Sequence, residues 1–258
     1  MSNRVLPYRS KRIIISTPVH PMLFMLYLVL ALPLLVFAQV LFIRVFRFLG
    51  YSFPEGYLMA SGMILFSLLF SPVNIKLKEI GTNVYTIIAE TKYISFFGIP
   101  IPVVSHRVVE RKIVIAVNIG GALIPITVSM IMLYGIITRY PEALIGLLGA
   151  WFVTSIVTFV TSRAIPGVGI AVPTLIPPLT AALSAIFFIG STYASIPAAY
   201  IAGTLGSLFG TDVLRLLKDL DKFIKQYGPT VASIGGAGTF DGVYLSGIFA
   251  VIMTILLT

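Results

Sequence analysis

Residues 233–258 read SIGGAGTFDGVYLSGIFAVIMTILLT. The stretch is apolar or small throughout except for one acid, Asp241, preceded by Gly235, Gly236, Gly238 and Thr239. A bilayer is crossed by about 20 apolar residues, so 239–258 reads as a membrane helix. If that helix starts at Asp241, the carboxylate sits at the interface and costs little. If it starts near Val231, the carboxylate lies ~15 Å deep, where an ion is expensive. The glycines favour the first arrangement, or a re-entrant turn packed inside protein.

The rest of the chain fits that reading. Of 258 residues, 58% are hydrophobic and 10% are charged. Soluble domains carry roughly 25% charged residues, so this chain buries its apolar surface in lipid. No polar block is large enough for a separate soluble domain, and 1–258 reads as one integral membrane domain. The net charge of +9 is spread over short loops. It is a topology signal and an attraction for anionic lipid, not a nucleic-acid footprint. Cysteine is absent, which removes disulfide and thiolate chemistry. The two histidines, His20 and His106, are far apart, so no metal site and no cofactor is expected. Asn, Gln and Cys are scarce, as in many thermophile proteins.

Seven apolar stretches are long enough to be spans: about 21–43, 56–74, 113–138, 143–162, 168–190, 192–210 and 239–258. The first is too long for a signal-peptide core. With the N-terminus inside, 15 of the 18 Lys and Arg residues fall on cytoplasmic segments, and only Arg44, Arg47 and Arg139 fall outside. That bias predicts a multi-pass protein of the cell membrane, N-terminus cytoplasmic and C-terminus outside.

Two segments differ in texture. Residues 75–112 alternate or run β-branched and aromatic around the turn EIGTNV, which predicts a small cytoplasmic β-hairpin or three-stranded flap. Residues 211–227 place Val213, Leu217, Leu220, Ile224 and Tyr227 at helical spacing, with Lys218, Asp221, Lys222 and Lys225 opposite. That is an amphipathic interfacial helix, or a helix packing its stripe on its neighbours.

The acids carry the chemistry. Asp212 closes the sixth span and Asp241 opens the seventh, and the topology puts both on the cytoplasmic side. Two carboxylates sharing a partly dry site cannot both ionise easily, and such a pair works as acid and base on water. The plainer reading makes each a helix cap. A second feature is SRAIPGVGIAVPTLIPPL at 162–179, where Pro173 and Pro177 belong to a run that cannot be regular helix. It is either a break of the kind that frames transporter sites or a proline-kinked helix with a tight turn. The third is Asn118 in AVNIGGALIPI, either structural glue between helices or part of a site.

Three of these motifs, AVNIGGALIP, the broken PGVGIAVP and GGAGTFDGVYLSG, resemble the membrane family called domain of unknown function 1614. That resemblance covers most of the chain and implies no activity. GAGTFD with Asp212 also resembles, over about a fifth of the chain, the GxGD intramembrane aspartyl proteases, relatives of presenilin, signal peptide peptidase and prepilin peptidase. There, two aspartates stand at the cytoplasmic ends of neighbouring helices, one running inward and the next outward. Here two extra residues precede the second acid, no tyrosine precedes Asp212, and no Pro-Ala-Leu motif follows.

The expectation is therefore an all-α polytopic membrane protein of about seven helices with a small β insert, embedded in membrane lipid. Asp212 and Asp241 are its candidate catalytic pair. Gly235, Gly236, Gly238, Thr239, Asn118, Pro173 and Pro177 are candidate substrate contacts. The leading activity is diaspartyl cleavage of a peptide. The alternatives are an ion- or proton-coupled transporter or channel, and a non-catalytic scaffold.

Overall fold

A computed structural model describes residues 12–15, 21–96, 99–165, 169–226, 230–236 and 242–258. Its helices are α1 (Pro21–Phe48), α2 (Phe53–Phe70), α3 (Ile124–Arg139), α4 (Leu144–Thr161), α5 (Ile176–Ile189), α6 (Ser195–Ile201), α7 (Leu216–Gln226) and α8 (Gly242–Leu257). The strands are β1 (Ile13–Ile15), β2 (Val73–Phe96), β3 (Ile99–Asn118), β4 (Arg163–Ile165), β5 (Gly169–Ala171) and β6 (Thr230–Ile234). A π-helical turn, Ile119–Leu123, leads into α3. Two more, Ala202–Gly206 and Leu208–Arg215, join α6 to α7.

Among the described residues, three helical stretches are long and apolar enough to cross a membrane: Phe53–Phe70, Ile119–Arg139 and Pro141–Thr161. Ile176–Ile189 and Leu245–Leu257 are shorter apolar helices. The helices pack around Phe42, Phe46, Met132, Ile136, Tyr200, Ile248 and Val251, with the Tyr200 ring edge-on to Phe42 at 5.2 Å. Large apolar side chains also face outward. Ile145 is 84% and Phe187 82% exposed. A bundle apolar both inside and out suits a lipid solvent, because water would penalise that outer surface.

The bundle has two distinct ends. At one, Phe48 stacks on Tyr193 at 4.5 Å, and the Tyr140 hydroxyl donates to the Phe48 carbonyl at 3.4 Å. Thr258 lies at this end, beside Tyr140 and Ala194. At the other end stands a four-stranded sheet of order β1-β2-β3-β6. β1 and β3 flank β2 antiparallel, and β6 joins β3 in parallel, so the chain from α3 to α7 forms the crossover between β3 and β6.

Four expectations need correcting. The β insert is neither small nor confined to 75–112: its strands run from Val73 to Asn118, with β1 and β6 added at the base. The third span does not begin at 113, because Ile113–Val117 pair with β6 as strand. That β-branched apolar run suits a buried strand as well as a helix, and β6 supplies the partner. The 166–178 region is not a kinked helix at its start: Arg163–Ile165 and Gly169–Ala171 pair antiparallel, and α5 begins only at Ile176. Residues 211–226 do not form a helix of their own. The helix runs unbroken from Ser195 through Asp212 to Gln226, and its Leu216 packs on Ile113, Ala164, Ile170 and Ala232.

Candidate functional site

The long helix from Ser195 to Gln226 is built to be approached closely. A Cβ at Gly210 would run into the Ser155 carbonyl and the Thr158 hydroxyl of α4, and one at Gly203 would crowd Ala250 of α8. Close helix contact through small residues is how bundles pack in lipid, where apolar burial alone gives no advantage. Just past Gly210 the helix is π-wound and carries Asp212. Such π turns are over-represented at functional sites.

Asp212 lies just past the expected sixth span. Its Oδ2 accepts the backbone N–H of Gly235 at 2.6 Å, and its Oδ1 accepts the Thr211 hydroxyl at 2.7 Å. The residue is half-buried, and desolvation pushes its carboxyl up to about 6 against the opposing pull of those two bonds. Asp212 is therefore not a helix cap. The helix is continuous on both sides of it, and the amide it holds belongs to a remote turn.

That turn follows β6. Gly235 and Gly236 both have positive φ, 83° and 84°, a conformation that side chains resist. A Cβ on Gly235 would strike Ala122 and Gly121, and one on Gly121 would strike the Gly235 carbonyl. The π turn at 119–123 and the glycine turn after β6 thus interlock backbone to backbone.

Asn118 anchors the π turn. Its Oδ1 accepts the Gly121 N–H at 2.6 Å, and its Nδ2 donates to the Ser71 carbonyl at 2.6 Å and to Asn74 Oδ1 at 3.0 Å. Asn74 Oδ1 also accepts the Ser233 hydroxyl at 2.6 Å, and Ser67 donates to the Gly120 carbonyl at 2.6 Å. The result is a buried polar knot at the sheet end of the bundle, joining the end of α2, the sheet base, the start of α3 and the long helix.

Of the residues expected to form a site, the knot unites Asp212, Gly235, Gly236 and Asn118. Gly238, Thr239 and Asp241 lie outside the described residues. Pro173 is exposed in the loop before α5, and Pro177 is buried in the first turn of α5. Among the described residues, no group of three His, Asp or Glu side chains is placed to hold a metal. The sequence reading overlooked Asn74, Ser67, Ser233 and Thr211. Only the polar Asn74, standing where the second apolar stretch gives way to strand, carried a visible signal.

Fold and knot together define a mostly helical protein with membrane-length helices and a sheet gathered at one end. The chain belongs to the family described as protein of unknown function (DUF1614), whose model matches residues 68–253. The match runs from the end of α2 into α8 and takes in every member of the knot except Ser67. No curated protein and no solved structure matches the chain, so the GxGD likeness has no support from these comparisons.

Proposed function

We propose that the chain is a seven-span membrane protein whose Asp212 and Asp241 form a paired-carboxylate centre that cleaves peptide bonds at the cytoplasmic end of the bundle. The observation that carries this reading is the Asp212–Gly235 hydrogen bond, which ties the first acid to the glycine-rich segment that leads to the second.

The packing of α8 against the long helix supports the pairing. Ser207 and Ser246 hydroxyls are 3.1 Å apart, and Ser246 donates to the Gly203 carbonyl at 3.0 Å. A Cβ on Gly203 would lie 3.1 Å from the Ala250 side chain, and Val243 packs with Leu208. Positions 203, 207 and 208 thus meet 250, 246 and 243, so the two helices are antiparallel. In sequence, Asp241 stands two residues before Val243, and the proposed pairing with Asp212 takes this antiparallel packing as its basis.

In the reaction, Asp212 is assigned the role of acid, since desolvation raises its carboxyl to about 6 and so increases its protonated fraction. The ionised Asp241 takes a proton from water, whose oxygen attacks the peptide carbonyl carbon. Asp212 gives its proton to the carbonyl oxygen, forming a neutral diol. As the diol collapses, the C–N bond breaks, the nitrogen takes a proton from Asp241, and a diol hydroxyl returns its proton to Asp212. β6 ends beside Asp212 at the edge of the sheet, so an extended peptide added to that edge is delivered to the acid.

The topology has its own support. The described basic residues Arg12, Lys76, Lys78, Arg163, Arg215 and Lys218 belong to the sheet end, and Arg44, Arg47 and Arg139 to the other. Thr258 and the strand at Ile13 stand at opposite ends. This supports N-inside, C-outside. A transporter built on Asn118 draws less support, since both N–H groups and the carbonyl of its amide are engaged by the protein.

The test is proteolysis of peptide substrates by the purified protein in liposomes. Activity that Asp212→Ala and Asp241→Ala each abolish, while the helical signal persists, supports the reading. Activity that survives either change removes it.

A further inference from the structure

The hairpin of β2 and β3 extends far beyond the part that other strands cover. β1 pairs only with 73–75, and β6 only with 113–117. Beyond Gly81↔Lys112, the pairing continues from Tyr85↔Glu110 to Phe96↔Ile99 with no further strand on either edge among the described residues. β3 has 20 residues, so at ~3.3 Å per residue the hairpin reaches roughly 60 Å from its base. A bare two-stranded hairpin is marginal in water. Something covers this one.

The register divides its residues between two faces. On one stand Tyr93 with Pro102, Thr91 with Val104, Ala89 with His106, and Ile87 with Val108. Val104 is 58% and Val108 55% exposed, and His106 is exposed between them. No Lys, Arg, Asp or Glu falls on this face over that length. The opposite face holds Lys92 with Val103, Glu90 with Ser105, and Ile88 with Arg107. Toward the tip, residues 93–105 contain no charge. Around this apolar part the basic residues Lys92, Arg107, Arg111 and Lys112 outnumber the acids Glu90 and Glu110.

We propose that this ribbon is a membrane-anchoring arm. Its Val104–His106–Val108 face lies on the lipid of the cytoplasmic leaflet, and its charged face turns to water. Three observations select lipid as the occupant. The hairpin is rooted at Asn118, where the membrane-length helix Ile119–Arg139 begins, so its base is already at the bilayer surface. Its surplus of basic residues matches the anionic inner leaflet, which attracts Lys and Arg held near its surface. Tyr93 stands on the uncharged face near the tip, and tyrosine, an aromatic with a polar atom, settles at the headgroup level. The register shifts between Lys76 and Lys78, and between Gly81 and Tyr85, are places where a ribbon bends, which lets the arm lie down from its base. The inference rests on the membrane character of the chain and on the N-inside topology proposed above, and not on the aspartate pair.

The absence of cysteine makes the test direct. Single-cysteine variants Val104→Cys and Val108→Cys on one face, and Glu90→Cys and Arg107→Cys on the other, are labelled with a polarity-sensitive dye. The full chain is placed in phosphatidylcholine–phosphatidylglycerol vesicles containing a lipid-borne quencher. The arm predicts blue-shifted emission and several-fold stronger quenching at 104 and 108 than at 90 and 107. Equal quenching on both faces overturns it. So does weak quenching at 104 accompanied by concentration-dependent 104–104 disulfide dimers, which would assign the face to a second copy of the chain.

Discussion

The carboxylate of Asp212 and the backbone N–H of Gly235, 23 residues apart in sequence, meet at 2.6 Å. This bond joins the long helix to the turn that closes β6, and it places an acid where burial raises its proton affinity. Removing the side chain leaves the amide of the buried Gly235 without its partner. Asp212→Ala should cost about 1–3 kcal/mol, while Asp212→Asn, which keeps an acceptor, should cost less. Thermal unfolding in detergent measures the difference, and hydrogen exchange at 230–236 should rise in the alanine variant. Equal stability of the two variants would show that the bond contributes little.

The same carboxyl sets a pH dependence. Its folded-state value of about 6 lies above the ordinary 3.8. The folded protein therefore holds a proton that the unfolded chain releases between these values. The stabilisation is complete below pH 4 and is lost as pH rises through 6, by on the order of 3 kcal/mol. Asp212→Asn should flatten that part of the stability curve. A wild-type curve parallel to that of the asparagine variant between pH 4 and 7 would contradict the assignment.

Gly235 combines a φ of 83° with a Cβ direction blocked by Ala122 and Gly121. Gly235→Ala should therefore lose about 1–3 kcal/mol from backbone strain, with the steric clash adding to it. Gly190 also has a positive φ, 84°, but its Cβ direction is open. Gly190→Ala is the matched control and should show the smaller loss in the same melting experiment.

Asn118 caps the π turn with its carbonyl and donates from its amide to Ser71 and Asn74. Asn118→Ala should cost about 2 kcal/mol or more, because a cap is lost and buried acceptors are left without donors. Asn118→Asp keeps the cap but loses both donors and adds a buried charge, so it should be no better. Chemical denaturation of the two variants against wild type checks the order.

Ser207 and Ser246 face each other across the antiparallel helices at 3.1 Å. In this cysteine-free chain, Ser207→Cys combined with Ser246→Cys should oxidise to an intramolecular disulfide in membranes. Ser207→Cys combined with Val243→Cys, three residues along, should not cross-link. Failure of the 207–246 pair to form would displace the antiparallel packing on which the proposed Asp212–Asp241 pair rests.

Much of the architecture was legible in the chain. The apolar stretches at 56–74 and 143–162 correspond to Phe53–Phe70 and Pro141–Thr161, because spans of that length follow from bilayer thickness and from internal hydrogen bonding of the backbone. The β texture of 75–112 was also visible. Other features depend on partners that the local sequence does not name. Ile113–Val117 become strand because β6 lies beside them, and an apolar β-branched run alone serves either state. Gly210-Thr211-Asp212 looks like the start of a new helix, yet the helix continues, because Asp212 finds its amide at Gly235 and its own backbone stays paired. A side chain bonding to a distant N–H leaves no local signature, since every non-proline residue carries that N–H. Hydropathy and charge are summed over neighbours along the chain, so they place the spans. The polar knot depends on contacts across 23 to 159 residues, from Asp212–Gly235 to Asn74–Ser233, and only the folded packing brings those groups together.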